Sequence, residues 1–285
     1  MALPTAGSAT CRARRTELGG RDDAASVVVP GRQARYNEPP MKIRSVDVAA
    51  ASRGDAVFVL AADGRAVKAG DGLADALAAA KATGDLELGF RKVALFHQPK
   101  GAAKRLFTVG LGKAQELSTE RLRRAAAVAQ QHAAEAQVGQ FSLVLAEGAL
   151  AELDAFEAGR ALAEGLVLGA YVYEAPRKAK PKPGHATSAT VAAFGLDRRI
   201  GREFARGLSL GAIGAEATAF ARDVENQPSN VMTPVAMANA ARKLAGPRLR
   251  VKVLDEAAMK RLSMGALLGV ARGAGEPPRL IVMEY

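Results

Sequence analysis

The stretch Arg222-Asp-Val-Glu-Asn-Gln-Pro-Ser-Asn-Val-Met-Thr-Pro-Val235 separates two helical patterns and decides how the chain is organised. Thr233 is placed to cap the second helix, and Pro234 at its first position loses no hydrogen bond. This helix is predicted to end at Gly246-Pro247. The residues that end the first helix in a turn are Asn226, Pro228 and Asn230.

Upstream of this stretch, strand-like apolar runs alternate with helix-like segments, an order that is typical of α/β domains. The predicted strands begin at Met41 and continue at Ala56–Ala61, Lys92–His97, Arg105–Gly110, Phe141–Ala146 and Thr190–Phe194. The predicted helices are Gly72–Thr83, Ser118–Gln137 (capped by Ser118 or Thr119), Glu152–Tyr173 and Ile200–Val224.

The helix predicted over 152–173 contains three glycines, Gly159, Gly165 and Gly169. Each lowers helix propensity by about 1 kcal/mol relative to alanine. Their presence predicts that this helix packs closely against a neighbour.

Downstream of the stretch, a strand over Leu249–Leu254 leads to Asp255, which is placed to cap a short helix. A turn follows at Ser263–Ala266, and residues 269–285 form a glycine-rich turn and a final apolar strand. The chain is therefore expected to enter a second α/β domain after the long helix at 200–224.

Four motifs follow one another in the second half of the chain. The motifs are Asn-x-Pro-x-Asn-x-x-Thr-Pro at 226–234, Val-x-Val-Leu-Asp-Glu at 251–256, Met-Gly-Ala-Leu-Leu-Gly-Val-Ala-Arg-Gly at 264–273, and Glu-Pro-Pro-Arg-Leu-Ile-Val-x-Glu-Tyr at 276–285. In this order they resemble leucyl aminopeptidases, the cytosol aminopeptidase family. The similarity is densest over 215–285, and from Met41 onward the order of elements agrees more loosely.

The resemblance implies an α/β fold with a macro-domain-like N-terminal domain, a long interdomain helix and an incomplete α/β catalytic domain. It places the N-terminal domain at 41–174 and a linker with a short strand at 175–198. The interdomain helix and the incomplete catalytic domain are placed at 199–285. Residues 1–40 are expected to be disordered or a misassigned extension, so the natural start is Met1 or Met41. A transit peptide is the alternative, against which the acidic residues of this segment argue.

By resemblance, the activity is removal of N-terminal residues, often leucine, from peptides by two divalent ions, Mn or Zn. Such hydrolysis needs converging carboxylates, a metal-bridging water and cations that stabilise the gem-diolate. The family supplies them from Gly-Lys-x-x-x-x-Asp-x-Gly and Asn-Thr-Asp-Ala-Glu-Gly-Arg motifs, and neither string occurs here. We therefore expect no catalytic, cofactor-binding or metal-binding residue in the chain, no metal bound to it, and no activity from these residues alone.

Other acidic residues and histidines do not follow the spacing of metal ligands. Asp223 and Glu225 are expected to diverge on their helix, and Asp255-Glu256 to begin one. The histidines His97, His132 and His185 are predicted on a strand end, a helix and a linker. Gly110-Leu-Gly-Lys113 lacks the spacing of a phosphate-binding loop and predicts a tight turn.

Composition bounds the remaining functions. A single cysteine, Cys11, excludes an intrachain disulfide, and a cytoplasmic location is expected. No apolar run reaches the about 20 residues that span a bilayer, so no membrane partner is expected. The net charge of +11 leaves a nucleic-acid-binding or regulatory module as the alternative to a peptidase.

By resemblance the enzyme is a homohexamer, and the exposed edge of an unfinished sheet predicts nonspecific association.

Overall fold

A computed structural model describes residues 41–98, 102–150, 153–173 and 186–285. The predictions for residues 1–40, for the proline-rich linker at 175–184 and for His185 lie outside these ranges. The expected α/β class is confirmed by a six-stranded sheet in the order β1-β6-β5-β2-β4-β3, parallel except for β3. Its strands are β1 (Lys42–Ser45), β2 (Gly54–Asp63), β3 (Val93–His97), β4 (Ala103–Lys113), β5 (Gln140–Leu145) and β6 (Ser188–Ala193).

Helices cover both faces of this sheet because the buried strand β2 alternates its side chains between two apolar layers. Phe58 and Leu60 belong to the layer under three helices, and the Phe58 ring stacks on Phe107 at 4.3 Å. Val57 and Val59 face the opposite layer. The helices are α1 (Val48–Ala51), α2 (Asp71–Thr83), α3 (Thr119–Glu135), α4 (Ala155–Gly169) and α5 (Arg198–Glu225).

The predicted close packing of the α4 glycines is confirmed. A Cβ atom added at Gly159 would lie 2.2 Å from the Phe204 carbonyl oxygen of α5, and one at Gly165 would lie 2.1 Å from the Arg123 carbonyl oxygen of α3. At Gly169 the nearest atom, 2.7 Å away, is the Cα of Ala127. The backbones of α3, α4 and α5 therefore touch where a side chain would separate them.

Helix α5 contributes Gly207 and Gly211 to the same close contacts between helices. Together with the three α4 glycines they form the glycine seam. A Cβ at Gly207 would lie 1.9 Å from the carbonyl oxygen of Phe156, and one at Gly211 would lie 2.3 Å from that of Arg160. The contacts advance in the same order along both helices, so α4 and α5 run in the same direction. The long helix that the sequence assigns to the second domain is thus packed along α4.

Three local predictions need correction. The turn predicted at Ser263–Ala266 and the start of the glycine-rich turn predicted from 269 are wrong, because a helix spans Gly265–Ala271. The helix predicted from Glu152 to Tyr173 begins at Ala155, because the Asp154 carboxylate accepts the Glu157 backbone N–H at 2.9 Å as its cap, and it ends at Gly169. The turn predicted at Gly110–Lys113 is wrong. Strand β4 continues to Lys113, and Gly110 allows the backbone of residues 88–89 to approach where a Cβ would clash at 2.1 Å.

After α5 the chain forms a second set of elements: α6 (Pro234–Lys243), β7 (Arg250–Leu254), α7 (Glu256–Arg261), α8 (Gly265–Ala271) and β8 (Leu280–Glu284). Strands β7 and β8 pair antiparallel. The predicted caps are confirmed: Thr233 Oγ1 accepts the Ala236 N–H at 3.2 Å, and Asp255 Oδ1 accepts the Ala258 N–H at 2.8 Å. Ser118, one of the two predicted caps of α3, accepts the Arg121 N–H.

Within the described ranges, no helix is both long enough and apolar enough to cross a bilayer.

The seam makes a testable prediction about stability. Gly207→Ala places a methyl group against the Phe156 carbonyl and should lower the free energy of unfolding by about 1–3 kcal/mol. Gly214→Ala, on the same helix, is the matched control because nothing lies within 4 Å of its Cβ position. It should stabilise by up to about 1 kcal/mol through helix propensity. Urea denaturation measures both changes, and equal effects would contradict the packing.

Candidate functional site

A polar cluster ties the end of α4 to the end of α5, directly before the Asn-x-Pro-x-Asn turn. The Asn226 amide donates to the Tyr171 hydroxyl at 3.2 Å. The Arg222 guanidinium lies over the Tyr171 ring, 5.5 Å from its centroid. The Asp223 side chain, only 5% exposed, lies near enough to the same tyrosine to affect the pKa of its hydroxyl. The cluster therefore fixes the point at which the chain enters its second set of elements.

The cluster also changes the acidity of Tyr171. Burial raises the pKa of its hydroxyl above the ordinary value of 10.0, since the phenolate loses solvation. The Asp223 carboxylate raises this pKa further, while the Asn226 hydrogen bond and the Arg222 charge lower it. The neutral hydroxyl is the form that can donate to the buried carboxylate.

Residues of the family-like motifs line a concavity of about 400 Å³ beside the glycine-rich turn. It lies between α7, α8 and the turn before β8. Its charged residues are Arg272 and two carboxylates, Glu256 and Glu276. Glu256 is also paired with Lys260 at 2.7 Å, one turn further along α7. The mixture of charges gives no preference for a ligand of one sign.

The acidic residues singled out in the sequence do not converge. Asp223 is buried against Tyr171, whereas Glu225 is exposed, so the predicted divergence is confirmed. Asp255 caps α7 and Glu256 lies in its first turn, as predicted.

The two described histidines lie apart from these carboxylates. His97 ends β3 as predicted. His132 in α3 lies 3.1 Å from its helical neighbour Glu135. In the described ranges, no group of three or more His, Cys, Asp or Glu side chains could hold a metal ion. These residues therefore do not fit a two-metal centre.

Tyr171 contacts the Asn-x-Pro-x-Asn motif in the structure, although no local pattern in the sequence indicates this contact. Its partners lie more than fifty positions away, and only the parallel packing of α4 and α5 brings them together. The available signal was an acidic residue on the apolar stripe of α5, because a buried carboxylate requires a hydrogen-bonding partner.

The fold and these elements define an α/β domain followed by a second set of helices and strands. Residues 57–180 match the profile "Cytosol aminopeptidase family, N-terminal domain", and residues 219–285 match "Cytosol aminopeptidase family, catalytic domain". The chain belongs to the cytosol aminopeptidase family, as the resemblance of its motifs predicted.

Curated relatives carry the same family description. A probable cytosol aminopeptidase of Solibacter usitatus is 36% identical over 192 residues, covering 67% of this chain and 38% of the relative. A probable cytosol aminopeptidase of Azotobacter vinelandii is 34% identical over 226 residues, which cover 78% of this chain and 45% of the relative. The chain thus spans less than half of the length of these relatives.

Two solved structures superimpose on this chain and have the same fold. The bottromycin maturation enzyme BotP in complex with Mn superimposes with a TM-score of 0.63 at 29% identity, over 81% of this chain and 45% of that one. A tomato leucine aminopeptidase variant gives a TM-score of 0.68 at 23% identity, over 87% of this chain and 51% of that one. At this identity the likeness supports the fold alone.

The cluster predicts a stability change. Tyr171→Phe removes the hydroxyl that accepts the Asn226 amide and lies near the buried Asp223 carboxylate, and should cost about 1–3 kcal/mol in the free energy of unfolding. Tyr173→Phe, two residues away, is the control and should change stability by less than about 0.5 kcal/mol. Chemical denaturation distinguishes them, and a neutral Tyr171→Phe would show that the cluster is not a stabilising contact.

The same hydroxyl predicts a pH effect. Because the folded pKa of Tyr171 is raised, its contribution to stability is fully present below about pH 10, the unfolded value. It is lost as the pH rises through the higher folded value. The difference in unfolding free energy between the wild type and Tyr171→Phe should therefore shrink under alkaline conditions. Denaturation at a series of pH values measures this, and a growing difference would contradict the assignment.

Proposed function

We propose that this chain provides the N-terminal domain and the first catalytic-domain elements of a metal-dependent leucyl aminopeptidase that removes N-terminal residues from peptides. The observation that carries the proposal is the order of the two profile matches, an N-terminal domain at 57–180 followed by a catalytic domain at 219–285. The superposition on the Mn complex of BotP supports a divalent-metal chemistry.

The domain division belongs to the same proposal. The N-terminal domain spans 41–174, the linker and short strand 175–198, and the catalytic part begins in the segment 199–285. Because α5 packs along α4, its role is to join the two parts by a rigid contact. The cluster around Tyr171 supports this role, since it lies at the last turn of α5.

The metal ions of this proposal, two Mn or Zn, are not assigned to any residue of the chain. Asp255 caps α7, Glu256 pairs with Lys260 and Asp223 lies near Tyr171. Among the described residues, no group of three or more His, Cys, Asp or Glu side chains could hold a metal ion. A divalent ion would supply Lewis-acid activation of water and of the peptide carbonyl. The chain's own residues contribute by forming and positioning the elements of the catalytic domain. A homohexamer and a cytoplasmic location complete the proposal.

The alternative, a nucleic-acid-binding or regulatory module, is not favoured because both profiles describe a peptidase. Several cations of the described surface are also engaged in ion pairs. In α3 and α4, Arg123 and Arg160 both bind Glu164, at 2.7 and 2.9 Å. Such pairing reduces the positive charge available to phosphates.

An activity assay tests the proposal. Residues 1–285, with added Mn²⁺ and leucyl p-nitroanilide, should show no release of p-nitroaniline above buffer, because the described side chains provide no metal-binding cluster. The Azotobacter vinelandii relative, assayed in parallel, should release it. Turnover by the 285 residues would contradict the expected inactivity, and an inactive relative would remove the support for the peptidase assignment.

A further inference from the structure

We draw no further inference here: the strongest candidate, the exposed apolar face of α5 around Leu210 and Ile213, carries nothing because nothing in the structure shows what covers it.

Discussion

Backbone-to-backbone contact between α4 and its two neighbours is the constraint on which the rest of the described structure depends. Glycines at 159, 165, 207 and 211 lack the side chains that would hold α3, α4 and α5 apart. Backbone carbonyl oxygens of the facing helices lie where their Cβ atoms would be. The short separation places Glu164 of α4 within reach of Arg123 of α3. Close packing and a partly buried ion pair therefore reinforce one another across the helical layer.

The parallel course of α4 and α5 carries this constraint to the motif region. As the two helices advance together, Tyr171 at the end of one meets Asp223 and Asn226 at the end of the other. The turn at 226–230, the caps of α6 and α7 and the small β7–β8 sheet all follow from that point. A larger residue in the glycine seam would shift α5 relative to α4. It would thereby shift the position of the elements that follow α5, although the seam lies far from them in the sequence.

The pattern of single segments predicted most of the elements because each segment carries its own period and caps. Thr233, Asp255 and Ser118 are examples in which a side chain and a backbone N–H three residues away determine the start of a helix. The extent of β4 was not predictable in this way. Gly110 and Gly112 resemble a turn locally, and only the backbone of residues 88–89 packed against Gly110 shows that the strand continues.

The sequence by itself determined the α/β class, the family and the positions of its motifs, because helix caps, apolar periods and motif order are local properties of a chain. Only the tertiary structure decided that α5 packs along α4, that Tyr171 lies near the buried Asp223, and that β7 and β8 pair antiparallel. These features depend on contacts between residues that are distant in sequence. Such contacts exist only once the backbone has brought the residues together.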